Sequence, residues 1–387
     1  MINTSKRCAT RPASGIRAMR DMAAAYENVL HLGIGEPDFS IGKSVAEAMK
    51  KAIDRGQTKY APTSGVPELR SAVAAKLKRE NGIDCEPASI LITNGASEAI
   101  MAAILGATDA GDEILLPDPS WPNYTGQAHM AGCKSVFYPL LEKDKFHARA
   151  EQIEKKITPQ TKMLLLNSPS NPTGGVTSRD ELLEIAELVK KHNLAVISDE
   201  PYEKLLYDGA EHVSIGSLPE MQDYVFTANT FSKTYAMTGL RVGYLQGPSR
   251  VMPAVIKLLE GMSSCVNAPA QWAAVEALNG SQDYVKEMVE QYTRRRKLLL
   301  DGLNALPGVT CLAPEGAFYV FPNISKLGKS YDVAVDWLKR AQVNTVPGHF
   351  FGEAGEGFIR LCFAVSEAAI KEALERLNRV LEELPAR

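Results

Sequence analysis

No apolar run in this chain approaches the ~18–20 residues that a membrane-spanning helix needs, which argues against a helical membrane protein. Neither sign of charge dominates. The 43 Lys and Arg face 46 Asp and Glu, for a net charge of −3, so there is no electrostatic footprint for nucleic acid. Cysteine is scarce. The six stand at positions 8, 85, 133, 265, 311 and 362, with no Cys-x-x-Cys and no metal-like pairing. They read as reduced thiols of a cytoplasmic protein, and no metal site is expected. Internal repeats and low-complexity tracts are missing too, which removes solenoids and long disordered segments. The densest basic cluster, Arg294-Arg295-Arg296, falls in a helical pattern and reads as a solvated helix face. The first twenty residues are basic and contain no acid, a composition shared with transit peptides. Against that reading, Ser14–Tyr26 has the pattern of an amphipathic helix leading directly into structured sequence.

What remains is a soluble globular composition, 45% hydrophobic and 23% charged over 387 residues, enough for about two domains. Ser44-Val-Ala-Glu47 and Ser178-Arg-Asp-Glu181 read as capping boxes opening helices, and Pro67 opens another that runs to about Asn81-Gly82. Between them the pattern alternates strand and helix. Short apolar strands are predicted at Ser89–Gly95, Glu113–Leu116, Ser135–Tyr138, Lys162–Asn167, Leu194–Asp199, Tyr224–Thr227 and Arg241–Leu245, with helices at Ala96–Leu105 and Tyr124–Ala131 among those between. Such runs interleaved with helices predict a mostly parallel seven-stranded sheet covered on both faces. From about Ala268 the chain turns mainly helical. It has a long helix Gln282–Leu306, a strand Ala317–Phe321, a helix Val333–Ala341, strands Val343–Pro347 and Phe358–Phe363, and a last helix from Glu367 to about Leu384. The fold class expected is α/β. Residues 46–290 form a large domain; 1–45 and 291–387 together form a smaller α+β domain.

In open parallel sheets ligands sit just beyond the carboxyl ends of the strands, so the residues there carry the functional reading. After the first strand come Gly95, Ala96 and Ser97 at a helix start, suited to a phosphate. After the second comes Trp121, after the fourth Asn171-Pro-Thr-Gly174, after the fifth Asp199 and Tyr202. After the sixth come Ser232 and Lys233, and Arg241 opens the seventh. Each has a plain alternative: a helix cap for Gly95–Ser97 and Asp199, a turn for Asn171–Gly174, a core position for Trp121, a surface amine for Lys233. Together they meet the needs of one ligand, pyridoxal 5′-phosphate. Lys233 would take the aldehyde as a Schiff base, once partly desolvated, and Trp121 would stack on the ring. Asp199 would keep the ring nitrogen protonated, and Asn171 and Tyr202 would bond the phenolic oxygen. Gly95–Ser97, Ser232 and Arg241 would hold the phosphate.

The chain resembles the class I pyridoxal-phosphate-dependent aminotransferases of the aspartate aminotransferase superfamily (fold type I), in their prokaryotic-type aspartate/aromatic branch. The motifs are Pro12-Ala-Ser-Gly-Ile-Arg-Ala-Met, Gly33-Ile-Gly-Glu-Pro-Asp-Phe39, Lys59-Tyr-Ala-Pro62, Thr93-Asn-Gly-Ala-Ser-Glu98, Asn167-Ser-Pro-Ser-Asn-Pro-Thr-Gly174, Ser198-Asp-Glu-Pro-Tyr202, Ser232–Tyr244 and Gly357-Phe-Ile-Arg-Leu361. The resemblance implies transamination between an L-amino acid and a 2-oxo acid. It implies that Arg360 pairs with the substrate α-carboxylate, that Asn171 contacts both that carboxylate and the ring oxygen, and that Gly35 and Trp121 lie against the substrate. It also implies a homodimer in which Tyr60 reaches the neighbouring subunit's cofactor phosphate, and cis peptides at Pro119 and Pro172. Where some aspartate-specific relatives carry a lysine, this chain has Ser97, which leaves aromatic, aliphatic or sulfur-containing donors as open as aspartate. The same Lys and Asp also serve pyridoxal-phosphate lyases, decarboxylases and racemases. A cofactor-sensing regulator on this fold would carry a DNA-binding domain, which this mildly acidic chain does not suggest.

Overall fold

A computed structural model describes residues 2–10 and 15–383. The Pro12–Ser14 part of the N-terminal motif, the Ser14 start of its helix and the Leu384 end of the last helix lie outside these residues. The main sheet has seven strands: β1 Ile90–Thr93, β2 Glu113–Asp118, β3 Lys134–Pro139, β4 Thr161–Asn167, β5 Ala195–Asp199, β6 Val225–Thr230 and β7 Gly243–Gln246. Their order across the sheet is β1-β7-β6-β5-β4-β2-β3. All pairings are parallel except those of β7, which runs antiparallel to both β1 and β6.

The strands read as nearly continuous apolar runs because both faces are covered. Leu164 and Leu166 of β4 join one core with Leu115, Val196 and Ile185. Met163 and Leu165 point the other way, into a core with Ile114, Ile197, Phe226 and the helix Ala96–Ala107. Each such fully buried leucine contributes about 1.5–3 kcal/mol relative to exposure. A separate core joins the chain's two ends: Met19, Ala23 and Leu32 pack with Leu303, Trp337 and Leu377. Leu30–His31 pairs in parallel with Val343–Asn344, and Ile359–Cys362 pairs antiparallel with Val346–Pro347 and Tyr319–Val320.

The Ser178 capping box forms, with Ser178 and Glu181 side chains reciprocally bonded to backbone; the one at Ser44 does not. The helix Lys43–Asp54 is capped two residues earlier, at Gly42, which places Ser44 inside the first turn, and Glu47 pairs with Lys50 instead. The expected single strand Val343–Pro347 is two, because Val343–Asn344 and Val346–Pro347 pair with different partners. Arg241 precedes β7 rather than opening it, with φ 56°. The reading of Arg294–Arg296 as a solvated face is corrected at two of its three positions. Arg295 and Arg296 are buried. The Arg295 guanidinium pairs with Asp38 at 2.8 Å and lies over the Phe39 ring. Arg296 donates to the Pro314 carbonyl at 2.7 Å and to Asp208 at 2.6 Å, over the Tyr207 ring. The long helix Asp283–Ala305 is therefore covered on both flanks, each charge held by a carboxylate.

Candidate active site

Beyond the carboxyl edge of the sheet lies a cavity of ≈ 410 Å³ whose lining includes Ile34, Gly35, Ala96, Ser97, Trp121, Asn171, Asp199, Tyr202, Ser232, Lys233, Arg241 and Arg360. Strand register accounts for the convergence. Asn167, Asp199 and Ala228 are neighbours across β4, β5 and β6. Because β7 runs antiparallel, its first residue, Gly243, lies opposite Thr93 and Thr230, the last residues of β1 and β6. Arg241, two residues before that start, is thus delivered to the same edge as Ser97 and Ser232.

Lys233 lies in a single helical turn, Phe231–Thr234, capped by the Thr230 side chain accepting from the Ser232 N–H. Its Nζ donates to the Gly35 carbonyl at 2.7 Å and stands 5.6 Å from the centre of the Phe318 ring. Burial, with the positive charges of Arg360 and Arg241, lowers its pKa to about 8. In the cofactor-free protein Lys233 is therefore expected to react with an amine-acylating reagent with a midpoint near pH 8. A midpoint above ~10, that of an ordinary lysine, contradicts this.

Asp199 ends β5 and is buried. Its Oδ2 accepts from the Tyr124 hydroxyl at 2.5 Å, whereas Oδ1 is buried with no partner. Burial raises its pKa to about 7, opposed by the Tyr124 hydrogen bond and the Lys233 charge. Tyr202 meets the Tyr319 hydroxyl at 3.0 Å. The Arg360 guanidinium is sandwiched between the rings of Tyr319 and Phe351, at 4.5 and 4.8 Å. Its Nη1 donates to Asn171 Oδ1 at 2.9 Å and its Nη2 to the Gly33 carbonyl at 2.7 Å, while Nε is buried without a partner. Two glycines are required by close approach. A Cβ on Gly35 would meet the Tyr319 hydroxyl at 2.1 Å, and one on Gly95, at φ +79°, would meet Arg241 Nη2 at 2.6 Å. Cis peptides precede Pro119 and Pro172, and a further one precedes Pro169.

Of the residues singled out from sequence, the cavity lining brings together all but Gly95, which touches Arg241 behind it, and Tyr60, which is 91% exposed. Sequence reasoning missed Tyr124, Tyr319 and Phe351. Only Tyr124 left a trace, one helical turn after Trp121. Glu200, Glu203 and His212 cluster closely enough to suggest a metal site. All four carboxylate oxygens already accept hydrogen bonds from Lys76, Asn81, Ser198, Ser214 or Asn229, so the two carboxylates belong to a buried hydrogen-bond network, in which His212 Nδ1 alone of the three groups' ligand atoms is without a partner.

Residues 27–377 match the family described as aminotransferase class I and II. The chain belongs to this family. It is 40% identical to an aspartate aminotransferase of Pyrococcus abyssi and 39% identical to aromatic-amino-acid aminotransferase 2 of Thermococcus litoralis, in each case over 96% of both chains. The structure of Thermus thermophilus aspartate aminotransferase with maleate superposes with a TM-score of 0.94 at 38% identity, covering 98% of this chain and 100% of that one. The protein is accordingly an aminotransferase, its fold that of the fold type I enzymes, and the lyase, decarboxylase and racemase readings are not favoured. Among the described residues no helix is long and apolar enough to cross a membrane.

Proposed function

We propose that this aminotransferase holds pyridoxal 5′-phosphate in the 410 Å³ cavity and exchanges the amino group of an L-amino acid with a 2-oxo acid through Lys233. The observation that carries this is the buried, unpartnered Asp199 Oδ1 in the same cavity as a desolvated lysine. A carboxylate oxygen left unsatisfied in the interior is costly, and a protonated ring nitrogen satisfies it. The donor set fits the rest of the group: Ser97, Ser232 and Arg241 with the helix start at Gly95–Ser97 for the phosphate, Asn171 and Tyr202 for the phenolic oxygen, Trp121 for the ring face. When bound, the cofactor supplies an aldehyde that accepts the amine and a ring that delocalises the carbanion formed when the α-proton leaves.

The residues then have distinct tasks. Arg360 binds the α-carboxylate with the N–H groups left after Asn171 and Gly33 have taken one each; it is already fixed by the two rings, so little side-chain freedom is lost. With the cofactor bound, Lys233 Nζ in its neutral form would be the base that takes the substrate's α-proton and gives it back. Asp199, as the anion, would hold the ring nitrogen protonated. Tyr60, exposed here, serves the phosphate site of a second copy, so that the working unit is a homodimer. Pairing of Leu30–His31 with Val343–Asn344 supports grouping 1–45 with 291–387 as a small domain beside 46–290. The six unpaired thiols fit a cytoplasmic setting.

The substrate pair is part of the same proposal. Named relatives act on aspartate or aromatic amino acids, while Ser97, Ile34 and Ile16 line the cavity here. The test is acceptor dependence. With a panel of amino acids and no 2-oxo acid, product is expected to stop at one equivalent per active site and to resume when a 2-oxo acid is added. Continued product release without an acceptor contradicts transamination.

A further inference from the structure

Tyr124 belongs to none of the roles above, yet among the described residues it is the one that hydrogen-bonds the Asp199 carboxylate. It lies in the first turn of the helix Asn123–Ala131, 1% exposed, with its hydroxyl donating to Asp199 Oδ2 at 2.5 Å. The Trp121 ring meets it edge-on, with centres 5.4 Å apart and planes at 87°, so the phenol has little freedom to swing away. We propose that Tyr124 is a positioning residue for Asp199: by occupying Oδ2 it fixes the carboxylate's rotation, leaves Oδ1 as the oxygen free to meet a ring nitrogen, and favours the anionic form.

This rests on the reading in which Asp199 faces the cofactor's ring nitrogen, and deepens it. A carboxylate with two free oxygens in a buried site turns, and takes up a proton to escape the cost of burial. A neutral phenol donating to one oxygen opposes both. The phenol acts as donor only, because burial and the neighbouring carboxylate push its own ionisation well up. The charged and titratable groups around Asp199 are Tyr124, Tyr202, Glu200 and Lys233. Of these, Glu200 is saturated by Ser198, Asn81, Ser214 and His212, and Lys233 Nζ is held by the Gly35 carbonyl. Tyr202 is turned to Tyr319. Tyr124 alone is committed to the carboxylate.

The test is a double-mutant cycle read by binding. The full-length enzyme, exchanged into its pyridoxamine 5′-phosphate form, is titrated for release and rebinding of that ligand, which has the ring and phosphate but no aldehyde, so Lys233 makes no covalent bond. Tyr124→Phe is expected to weaken affinity about 10–100-fold, the range for loss of a hydrogen bond to a charged group. In an Asp199→Asn background the same change is expected to have little further effect. Wild-type affinity in Tyr124→Phe, or an equal loss in both backgrounds, overturns the proposal while leaving the cofactor reading intact. Unchanged affinity in Asp199→Asn alone fails the cofactor reading itself. Should Tyr124→Phe not fold, 3-fluorotyrosine at position 124 keeps the hydroxyl and makes it a stronger donor. Tighter binding is then expected, and equal or weaker binding overturns the proposal.

Discussion

Lys233→Ala is expected to lower turnover by about 10⁴-fold, the upper end for loss of a positioned proton-transfer group, while the protein stays folded and still binds pyridoxal 5′-phosphate through its phosphate and ring contacts. The size of the effect follows from the geometry. Lys233 is the amine placed in the cavity, beside the Gly35 carbonyl and within 5.6 Å of the Phe318 ring centre, and its pKa of about 8 leaves a usable neutral fraction near neutrality. Small primary amines added to the variant should restore part of the activity, because they replace the proton transfer without the placement. Turnover within tenfold of wild type would remove Lys233 from the mechanism.

Asp199→Asn is expected to cost about 10²–10⁴-fold in turnover, the equivalent of ~3–5 kcal/mol for deleting one partner of a buried charge pair. The asparagine keeps the size of the side chain but cannot hold the ring nitrogen protonated. A second consequence concerns stability. In the cofactor-free protein the Asp199 pKa stands at about 7, above its ordinary 3.8, so the folded state binds the extra proton between those values. Its contribution to stability is full below pH ~3.8 and is lost as pH rises through about 7. Denaturant midpoints of the cofactor-free wild type should therefore fall relative to Asp199→Asn across that window. Parallel pH profiles for the two proteins contradict the assignment.

The sheet and most of the site were legible in the sequence for a physical reason. Parallel strands buried on both faces are written as apolar runs, and whatever follows each run is carried to one edge of the sheet. Lys233, Asp199, Asn171 and Ser97 could be placed from that alone, and Arg241 from the glycines around it. What could not be read depends on packing between distant segments. Tyr124 against Asp199, and the Tyr319–Arg360–Phe351 sandwich, join residues that carry no local signal of each other. Arg295 and Arg296 looked solvated because a charge triplet on a helix normally is. Their burial depends on Asp38 and Asp208, 257 and 88 residues away. Ser44 failed as a cap because its helix is capped two residues earlier, at Gly42, a shift that sequence pattern does not resolve.

The central claim is that the cofactor is carried on Lys233. Borohydride reduction of the pyridoxal 5′-phosphate-saturated enzyme, followed by digestion and mass spectrometry, tests it directly. The expected result is one phosphopyridoxyl group per chain, on the peptide containing Ser232-Lys233-Thr234. Modification at another lysine, or none at saturation, contradicts the account.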